Sequence, residues 1–113
     1  VVADGYYEWK RENKEKTPYY FTKVDSSLMF FAGIHQNNQF CIITKEATDT
    51  VADIHHREPL IINEEQISNY LNIKKEGMDI LRSIKPPKLK FHEISKDVNK
   101  PVNNDPSLIN LKI

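Results

Sequence analysis

Two short segments of the chain place acid-base side chains among aromatic and polar neighbours. Glu8 lies in the sequence GYYEWK at residues 5–10, and His55 lies in IHHREP at residues 54–59. The first segment has the composition of a buried strand, where desolvation would raise the pKa of Glu8 and favour proton transfer near neutral pH. His55 is the second candidate proton carrier. No serine or cysteine nucleophile stands beside them in a recognisable setting, so we expect the nucleophile to come from elsewhere.

The composition limits the class of protein. The chain has 113 residues, about the size of one domain, and its sixteen Lys and Arg balance sixteen Asp and Glu at a formal net charge of +0. This balance argues against nonspecific binding of phosphates by the whole surface, so contact with nucleic acid must be local. The single cysteine, Cys41, excludes an internal disulfide framework and a multi-cysteine zinc site. Its apolar neighbours predict an inert, buried core residue.

The termini and apolar runs give no sign of a membrane protein. No apolar run approaches the roughly 18 residues of a membrane span, and no signal-peptide pattern is present. The first residue is Val1, and strand-like sequence follows at once. We therefore expect further residues upstream in a longer protein, and we expect no membrane partner, metal or cofactor.

Hydrophobic periodicity and turn residues predict an α+β fold with a mainly antiparallel sheet. The predicted strands are residues 1–10, 17–24, 28–34, 39–44, 60–62 and 89–94, with the charged run 11–16 as the turn of a first hairpin. The predicted helices are residues 46–54, capped by the hydroxyl of Thr44 or Thr48, a helix beginning at Asn63, and an amphipathic helix over residues 74–85. Residues 98–113 are predicted to be irregular.

Several candidate residues also have an ordinary structural explanation. Glu8 could be an exposed strand glutamate paired with Lys10 or with a cross-strand lysine, and Trp9 could be a core residue or a platform for an unstacked base. The adjacent His55 and His56 are expected to diverge, which argues against one shared metal.

Three polar groups leave similar alternatives open. Arg57 could hold a phosphate while His55 stands near a reacting centre, or both could belong to an ordinary surface loop. The hydroxyl of Thr44 could donate to a phosphate or cap a helix. The amides of Asn99, Asn103 and Asn104 could bind nucleotide edges or satisfy the backbone of a turn.

Taken in order, six motifs resemble the SRAP family, the SOS response-associated peptidases, whose members shield abasic sites in single-stranded DNA. The motifs are ADGYYEW (3–9), TPYYF (17–21), FAGI (31–34), IIT (42–44), IHHREP (54–59) and VN (98–99). The resemblance implies an SRAP-like, partly barrel-shaped antiparallel sheet with two or three flanking helices. It also implies that residues 1–113 are the C-terminal portion of a single SRAP-like domain whose N-terminal portion is absent.

The resemblance implies an enzyme that acts on single-stranded DNA with abasic sites. In that family the N-terminal cysteine, exposed by autoproteolysis, condenses with the abasic aldehyde to form a thiazolidine crosslink. By this resemblance Glu8 and His55 are catalytic: Glu8 handles protons during ring opening and imine formation, and His55 assists ring opening and crosslink reversal. Thr44 and Arg57 match contacts to DNA phosphate, and Trp9 matches an aromatic residue near the DNA. The implied location is the bacterial cytoplasm, at the nucleoid, or the eukaryotic nucleus.

Two departures from the family pattern leave other functions open. The catalytic cysteine and an upstream Asn-containing motif are absent from these residues, so the chain alone is not expected to crosslink DNA. His56 and Glu58 replace residues usual in the family, and Glu58 is expected to weaken phosphate attraction at Arg57 or to raise the pKa of His55 modestly. The alternatives are a noncatalytic single-stranded nucleic-acid-binding module and an inactive truncated fragment that self-associates through uncovered strand edges.

Overall fold

The computed structural model describes residues 1–72 and 76–113. The strands in this part of the chain are β1 (Val2–Ala3), β2 (Tyr6–Glu12), β3 (Glu15–Lys23), β4 (Met29–Phe30), β5 (Gly33–Gln36), β6 (Gln39–Ile42), β7 (Thr44–Glu46), β8 (Arg57–Pro59) and β9 (Leu89–Glu93). The helices are α1 (Asp49–Ala52), α2 (Ile67–Leu71) and α3 (Gly77–Ser83). All strand pairs are antiparallel in the described residues. The predicted α+β class with a mainly antiparallel sheet and flanking helices is therefore confirmed.

A three-stranded sheet in the order β2-β3-β9 forms the centre of the fold. The predicted first hairpin is present, but its strands continue through most of the charged run, and only Asn13 and Lys14 form the turn. Asn13 has a φ of 55°, which asparagine tolerates better than most residues. This two-residue turn fixes the register in which Glu8 lies opposite Tyr19. Within the described parts of the chain β2 pairs only with β3, so it is an edge strand with one open edge.

The remaining strands form three separate pairs, β1-β4, β5-β6 and β7-β8. The sheets do not close into a barrel, so the expected partly barrel-shaped sheet is wrong for the described residues. The predicted strand over residues 1–10 is also divided, because β1 pairs with β4 whereas β2 pairs with β3. Gly5 lies at this division, where its backbone passes directly beneath the ring of Tyr20.

The core contains three groups of buried side chains. Their fully or nearly fully buried members are Phe21, Val51 and Ile54 in the first, Met29, Phe31 and Ile61 in the second, and Ala32, Ile62 and Leu81 in the third. The first group joins α1 to the central sheet, and the third joins α3 to the strand region around Ala32. Burial of these apolar side chains, at about 25 cal/mol per Å², is the main contribution that fixes the elements relative to one another.

The helices are shorter than predicted. α1 covers only Asp49–Ala52, because the preceding residues pair as β7 with β8 instead of joining the helix. Neither predicted hydroxyl caps it, since the hydroxyl of Thr48 donates to Glu58 Oε2 at 3.1 Å and that of Thr44 accepts from Arg57. The helix predicted to begin at Asn63 opens with a 3-10 turn at Glu64–Gln66 before α2.

The amphipathic helix predicted over residues 74–85 is α3. Its predicted first residues lie outside the described part of the chain. Leu81 is buried as expected, but Met78 is 55% exposed, so the apolar stripe is narrower than its spacing suggested. No helix in the described residues is both long and apolar enough to cross a bilayer.

The prediction that Cys41 is buried is wrong. Cys41 lies exposed on β6, and its neighbour Phe40 is 69% exposed. The β5-β6 hairpin turns at Asn37 and Asn38, both with positive φ, and its apolar residues Ile34 and Phe40 are exposed. An apolar run in a two-stranded hairpin therefore did not imply two buried faces.

The C-terminal segment contains two 3-10 turns, at Lys96–Asn99 and Pro106–Ile109, rather than being wholly irregular. It is bonded to β9 at two points. Lys112 N donates to Glu93 O at 3.0 Å, and His92 Nε2 lies 2.7 Å from Ile109 O.

Candidate active site

Glu8 and His55 lie side by side in the structure. Glu8 Oε2 is 3.9 Å from His55 Nδ1, and the two side chains are 22% and 31% exposed. This distance fits an ion pair but exceeds that of a direct hydrogen bond. The alternative in which Glu8 pairs with Lys10 is wrong, because Lys10 pairs with Glu12 at 2.9 Å. The fold thus brings the two candidate proton carriers into one half-buried site.

The position of His55 follows from burial of the helix before it. Val51 and Ile54 are buried and belong to the same cluster as Phe21 of the central sheet. His55 N then donates to Val51 O at 2.9 Å, which ends the helical turn. Because α1 is fixed by its apolar side chains, the polar residue that follows is held at the edge of the sheet near Glu8.

The backbone of Arg57 supports the Nδ1 side of the His55 ring. Arg57 N donates to His55 Nδ1 at 3.1 Å when the ring proton is on Nε2. When the ring proton is on Nδ1, that nitrogen can donate to Arg57 O at 3.2 Å instead. In the first tautomer the proton on Nε2 is available to an acceptor in the cleft.

His56 stacks on His55 instead of diverging from it as predicted. The two ring centroids are 4.5 Å apart with an interplanar angle of 27°. In the described residues, no group of three or more His, Cys, Asp or Glu side chains is placed to hold a metal ion.

Trp9 is held at its nitrogen by the C-terminal segment. Its indole Nε1 donates to Asn99 Oδ1 at 2.6 Å, and its ring meets that of Tyr7 edge to face at 6.3 Å. The amide of Asn103 donates to Asp97 O at 2.8 Å. Asn103 thus satisfies the backbone of a turn, as one of the two alternatives predicted, whereas Asn99 bonds a side chain from the central sheet, which neither alternative predicted.

A cleft runs along the open edge of β2. One part, of about 560 Å³, is lined by Glu8, Trp9, Arg11, Lys16, His55, Val98, Asn99 and Pro101. An adjoining part, of about 540 Å³, shares Trp9, Arg11 and His55 and is otherwise lined by Lys10 and the segment from Ala52 to His56. The cleft is open to solvent and combines acidic, basic and aromatic groups.

Thr44 and Arg57 lie beside the cleft without lining it. They are on the paired strands β7 and β8, and the guanidinium of Arg57 wraps around Thr44. Nη2 donates to Thr44 O at 2.8 Å and to Oγ1 at 3.1 Å, and Nε donates to Oγ1 at 3.3 Å. Both residues are exposed, so these contacts hold the guanidinium in a fixed orientation at the surface.

Glu58 lies on the opposite, buried side of β8. It is only 3% exposed, with Oε1 at 3.0 Å from Lys45 Nζ and Oε2 accepting from the hydroxyl of Thr48. Its charge is thus compensated by Lys45 inside the protein rather than facing solvent beside Arg57.

The hydroxyl of Tyr6 is buried, close enough to the carboxylates of Glu58 and Glu8 for their charges to affect it. It has no hydrogen-bond partner among the described residues. Burial, and to a lesser extent the negative charges of Glu58 and Glu8, raises the pKa of Tyr6. Its ring stacks on Phe21 at 5.0 Å, so packing determines its position.

Sequence reasoning missed Arg11 and Lys16, which it assigned to a solvated turn. Both line the cleft, because the hairpin strands extend as far as Glu12 and Glu15. Asn13 was the available signal in the sequence, because asparagine is common at the positive φ that a two-residue turn requires.

The chain matches the family described as SOS response associated peptidase (SRAP) over residues 1–101. It is 33% identical over 123 residues to the abasic site processing protein YoqW of Bacillus subtilis, covering 96% of this chain and 55% of that protein. It is 30% identical over 120 residues to the abasic site processing protein YedK of Escherichia coli, covering 95% of this chain and 54% of that protein. An abasic site processing protein of Saccharomyces cerevisiae is 30% identical over 124 residues, covering 96% and 34%.

The fold is also similar to solved structures. A crystal structure of a protein from Bacteroides thetaiotaomicron superposes with a TM-score of 0.80 at 28% identity, covering all of this chain and 56% of that one. A phage-related protein from Bordetella bronchiseptica gives a TM-score of 0.67 at 25% identity, covering 83% and 51%. The chain spans about half the length of the bacterial relatives and structures that it matches.

Proposed function

Because this chain belongs to the SOS response associated peptidase (SRAP) family, we propose that it forms the proton-transfer half of an abasic-site processing enzyme acting on single-stranded DNA. The observation that carries the proposal is the 3.9 Å approach of Glu8 and His55 inside the cleft along β2. Relatives named abasic site processing proteins in bacteria and yeast support the DNA-processing part. The proposed location follows the substrate: the nucleoid region of a bacterium or the nucleus of a eukaryote.

The proposed reaction traps the aldehyde of a ring-opened abasic sugar. An N-terminal amine adds to the aldehyde carbon, and loss of water gives an imine. The thiol of the same cysteine then adds to the imine carbon, forming the C–S bond of a thiazolidine while its proton passes to nitrogen. Exposure of that cysteine by autoproteolysis is the proposed peptidase activity.

The two proton carriers have separate tasks in this proposal. His55, with its proton on Nε2, donates to the sugar ring oxygen as the ring opens. Glu8 accepts a proton from the attacking amine and returns it to the departing hydroxyl, so that water leaves. Trp9 stacks on a base, and Thr44 and Arg57 hold a phosphate beside His55.

The nucleophile must come from outside these 113 residues. The sole cysteine in the chain is Cys41, on the exposed β5-β6 hairpin and not among the residues that line the cleft. The 113-residue chain alone is therefore expected not to form the crosslink.

The test uses a longer protein in which these residues follow a segment that begins with Met-Cys. It is incubated with a single-stranded oligonucleotide containing an abasic site and analysed on a denaturing gel. We expect a crosslinked band whose rate of formation falls about 100-fold or more in Glu8→Gln. Glu64→Gln, which removes a carboxylate outside the cleft, is the matched control.

A noncatalytic single-strand binder is the alternative. The aromatic Trp9 beside the basic Arg11 and Lys16 favours it, because stacking and phosphate contacts need no proton transfer. An equal rate of crosslinking in Glu8→Gln and the unchanged protein would contradict the catalytic role of Glu8. No crosslinked band at all would favour the noncatalytic binder over the enzyme.

A further inference from the structure

Arg11 and Lys16 face each other directly across the β2-β3 hairpin. Like charges at such positions repel and destabilise the strand pair. Neither side chain forms an ion pair with any described residue, although Glu12 and Glu15 are close in sequence. Because side chains alternate along a strand, those two carboxylates lie on the other face of the hairpin. The repulsion between Arg11 and Lys16 is therefore left without an internal counter-charge.

Both cations line the same part of the cleft as Glu8, Trp9 and His55. Arg11 is three residues from Glu8 along β2, a distance of about 10 Å in an extended strand. Arg57 bonds His55 through its neutral backbone, and its guanidinium is bonded to Thr44 instead. Arg11 and Lys16 are therefore the cations that share this part of the cleft with Glu8 and His55.

We propose that Arg11 and Lys16 form a phosphate-binding pair that holds the single-stranded nucleic acid on the Trp9 side of the cleft. A phosphate between them replaces their repulsion with two attractive contacts, since the arginine fork binds two oxygens and the lysine supplies a point charge. Trp9 lies beside them and offers a ring face for the neighbouring base. The proposal deepens the proposed function, because it assigns a second phosphate contact to the same DNA strand.

The experiment measures binding of the 113-residue chain to a fluorescein-labelled oligothymidylate by fluorescence anisotropy over a series of salt concentrations. For single strands, each phosphate neutralised contributes about −0.7 to the slope of log K against log salt. We therefore expect the slope of the double variant Arg11→Gln, Lys16→Gln to be about 1.4 less steep, and that of each single variant about 0.7 less steep. The charge-conserving exchange Arg11→Lys, Lys16→Arg should keep the slope.

The matched control removes two positive charges far from the cleft. Lys23 and Lys88 line a separate small cavity beside Asp25, and the variant Lys23→Gln, Lys88→Gln should keep the original slope. Removing the Arg11–Lys16 repulsion should leave the thermal midpoint unchanged or raise it. A lowered midpoint would contradict the proposal, because it would indicate that the pair supports the fold instead.

Three results would overturn the proposal: no measurable binding by the unchanged chain, an unchanged slope in the double variant, or an equal loss in the Lys23 and Lys88 control. The oligothymidylate carries no abasic site, so this experiment is independent of aldehyde trapping. Loss of crosslinking in Glu8→Gln with an unchanged slope for Arg11 and Lys16 variants would uphold the proposed function and reject this pair. Undiminished crosslinking in Glu8→Gln together with a less steep slope for the Arg11 and Lys16 variants would uphold the pair and reject the proposed role of Glu8.

Discussion

The indole Nε1 of Trp9 donates a 2.6 Å hydrogen bond to Oδ1 of Asn99, joining residues that are 90 positions apart in the sequence. Trp9 comes from the open edge of β2, and Asn99 ends the first 3-10 turn of the C-terminal segment. Both residues line the cleft, and the bond fixes the orientation of the indole through the nitrogen on the edge of its ring. A ring held at its edge keeps a face for stacking, as the proposed role of Trp9 requires.

Replacing Asn99 with alanine should loosen this wall. We expect Asn99→Ala to lower the free energy of unfolding by about 1 kcal/mol, the usual contribution of one hydrogen bond. Trp9 is the sole tryptophan, so its fluorescence reports the change directly. Its emission should move to longer wavelength and become more accessible to acrylamide. Asn104→Ala, which changes another amide of the same segment, is the control, and identical quenching in both variants would contradict the expectation.

Gly5 should not tolerate a side chain. A Cβ built there would overlap the ring of Tyr20 and lie 2.6 Å from Phe21 O, so either the ring or the strand must move. We expect Gly5→Ala to destabilise the chain by about 1–3 kcal/mol, measured by urea unfolding. Gly77→Ala is the matched substitution, because its Cβ would meet Tyr70 at an ordinary 3.5 Å. It should be neutral or stabilising by up to about 1 kcal/mol, because alanine is favoured over glycine in a helix. Equal effects of the two changes would show that Gly5 is not under steric constraint.

Tyr6 should limit stability at alkaline pH. The ordinary pKa of tyrosine is 10.0, and burial raises the pKa of Tyr6 in the folded chain. Below about pH 10 the hydroxyl is protonated in both the folded and unfolded states. Above it the unfolded chain loses this proton first, so stability falls as the pH rises toward the raised pKa of the folded state. Tyr6→Phe should therefore move the midpoint of alkaline unfolding to higher pH.

Tyr6→Phe should also stabilise the folded chain at neutral pH. The hydroxyl of Tyr6 is buried and has no partner among the described residues, a condition that typically costs about 1–3 kcal/mol. Thermal unfolding of Tyr6→Phe should show a higher midpoint, with Tyr7→Phe, at an exposed position, as control. A lower midpoint in Tyr6→Phe would mean that the hydroxyl has a stabilising partner.

Thr44 should orient Arg57 without supplying charge. Thr44→Val removes the contacts of Oγ1 with Nε and Nη2 but keeps that of the main-chain oxygen with Nη2. We expect binding of single-stranded DNA to weaken a few-fold while its salt dependence stays the same. Arg57→Gln should make the slope of log K against log salt about 0.7 less steep. If Thr44→Val changed the slope as much as Arg57→Gln, then Thr44 would be needed for the guanidinium to neutralise a phosphate and would not merely orient it.

Local patterns predicted the fold class and the first hairpin, because the alternation of Tyr6, Glu8 and Lys10 with bulky neighbours is visible within a few residues. They failed where a distant partner decided the outcome. Glu46 became the end of a strand rather than the start of a helix because Thr44–Glu46 pairs with Arg57–Pro59, with Lys45 bonded to the buried Glu58. Cys41 was misplaced because nothing near it in the sequence shows that its hairpin lacks a covering layer.

The candidate site was predictable in its parts but not in its geometry. The resemblance supplied Glu8, His55, Trp9, Thr44 and Arg57, whose roles stay predictions. The cleft, the Trp9–Asn99 bond and the two cations at its rim depend on hairpin register and on contacts between the ends of the chain, neither of which a short segment reveals.

Ile109 and Lys112 attach the end of the C-terminal segment to β9, so the last residues affect parts of the chain that they do not contact. Asn99, which bonds Trp9, precedes the Ile109 and Lys112 contacts on the same stretch of polypeptide. Carboxypeptidase trimming past Ile109 would remove both attachments, although the trimmed residues lie outside the stretch that matches the family. Digestion at that end would then change the fluorescence emission of Trp9, so that residues 102–113 influence the wall of the cleft although the family match ends at residue 101.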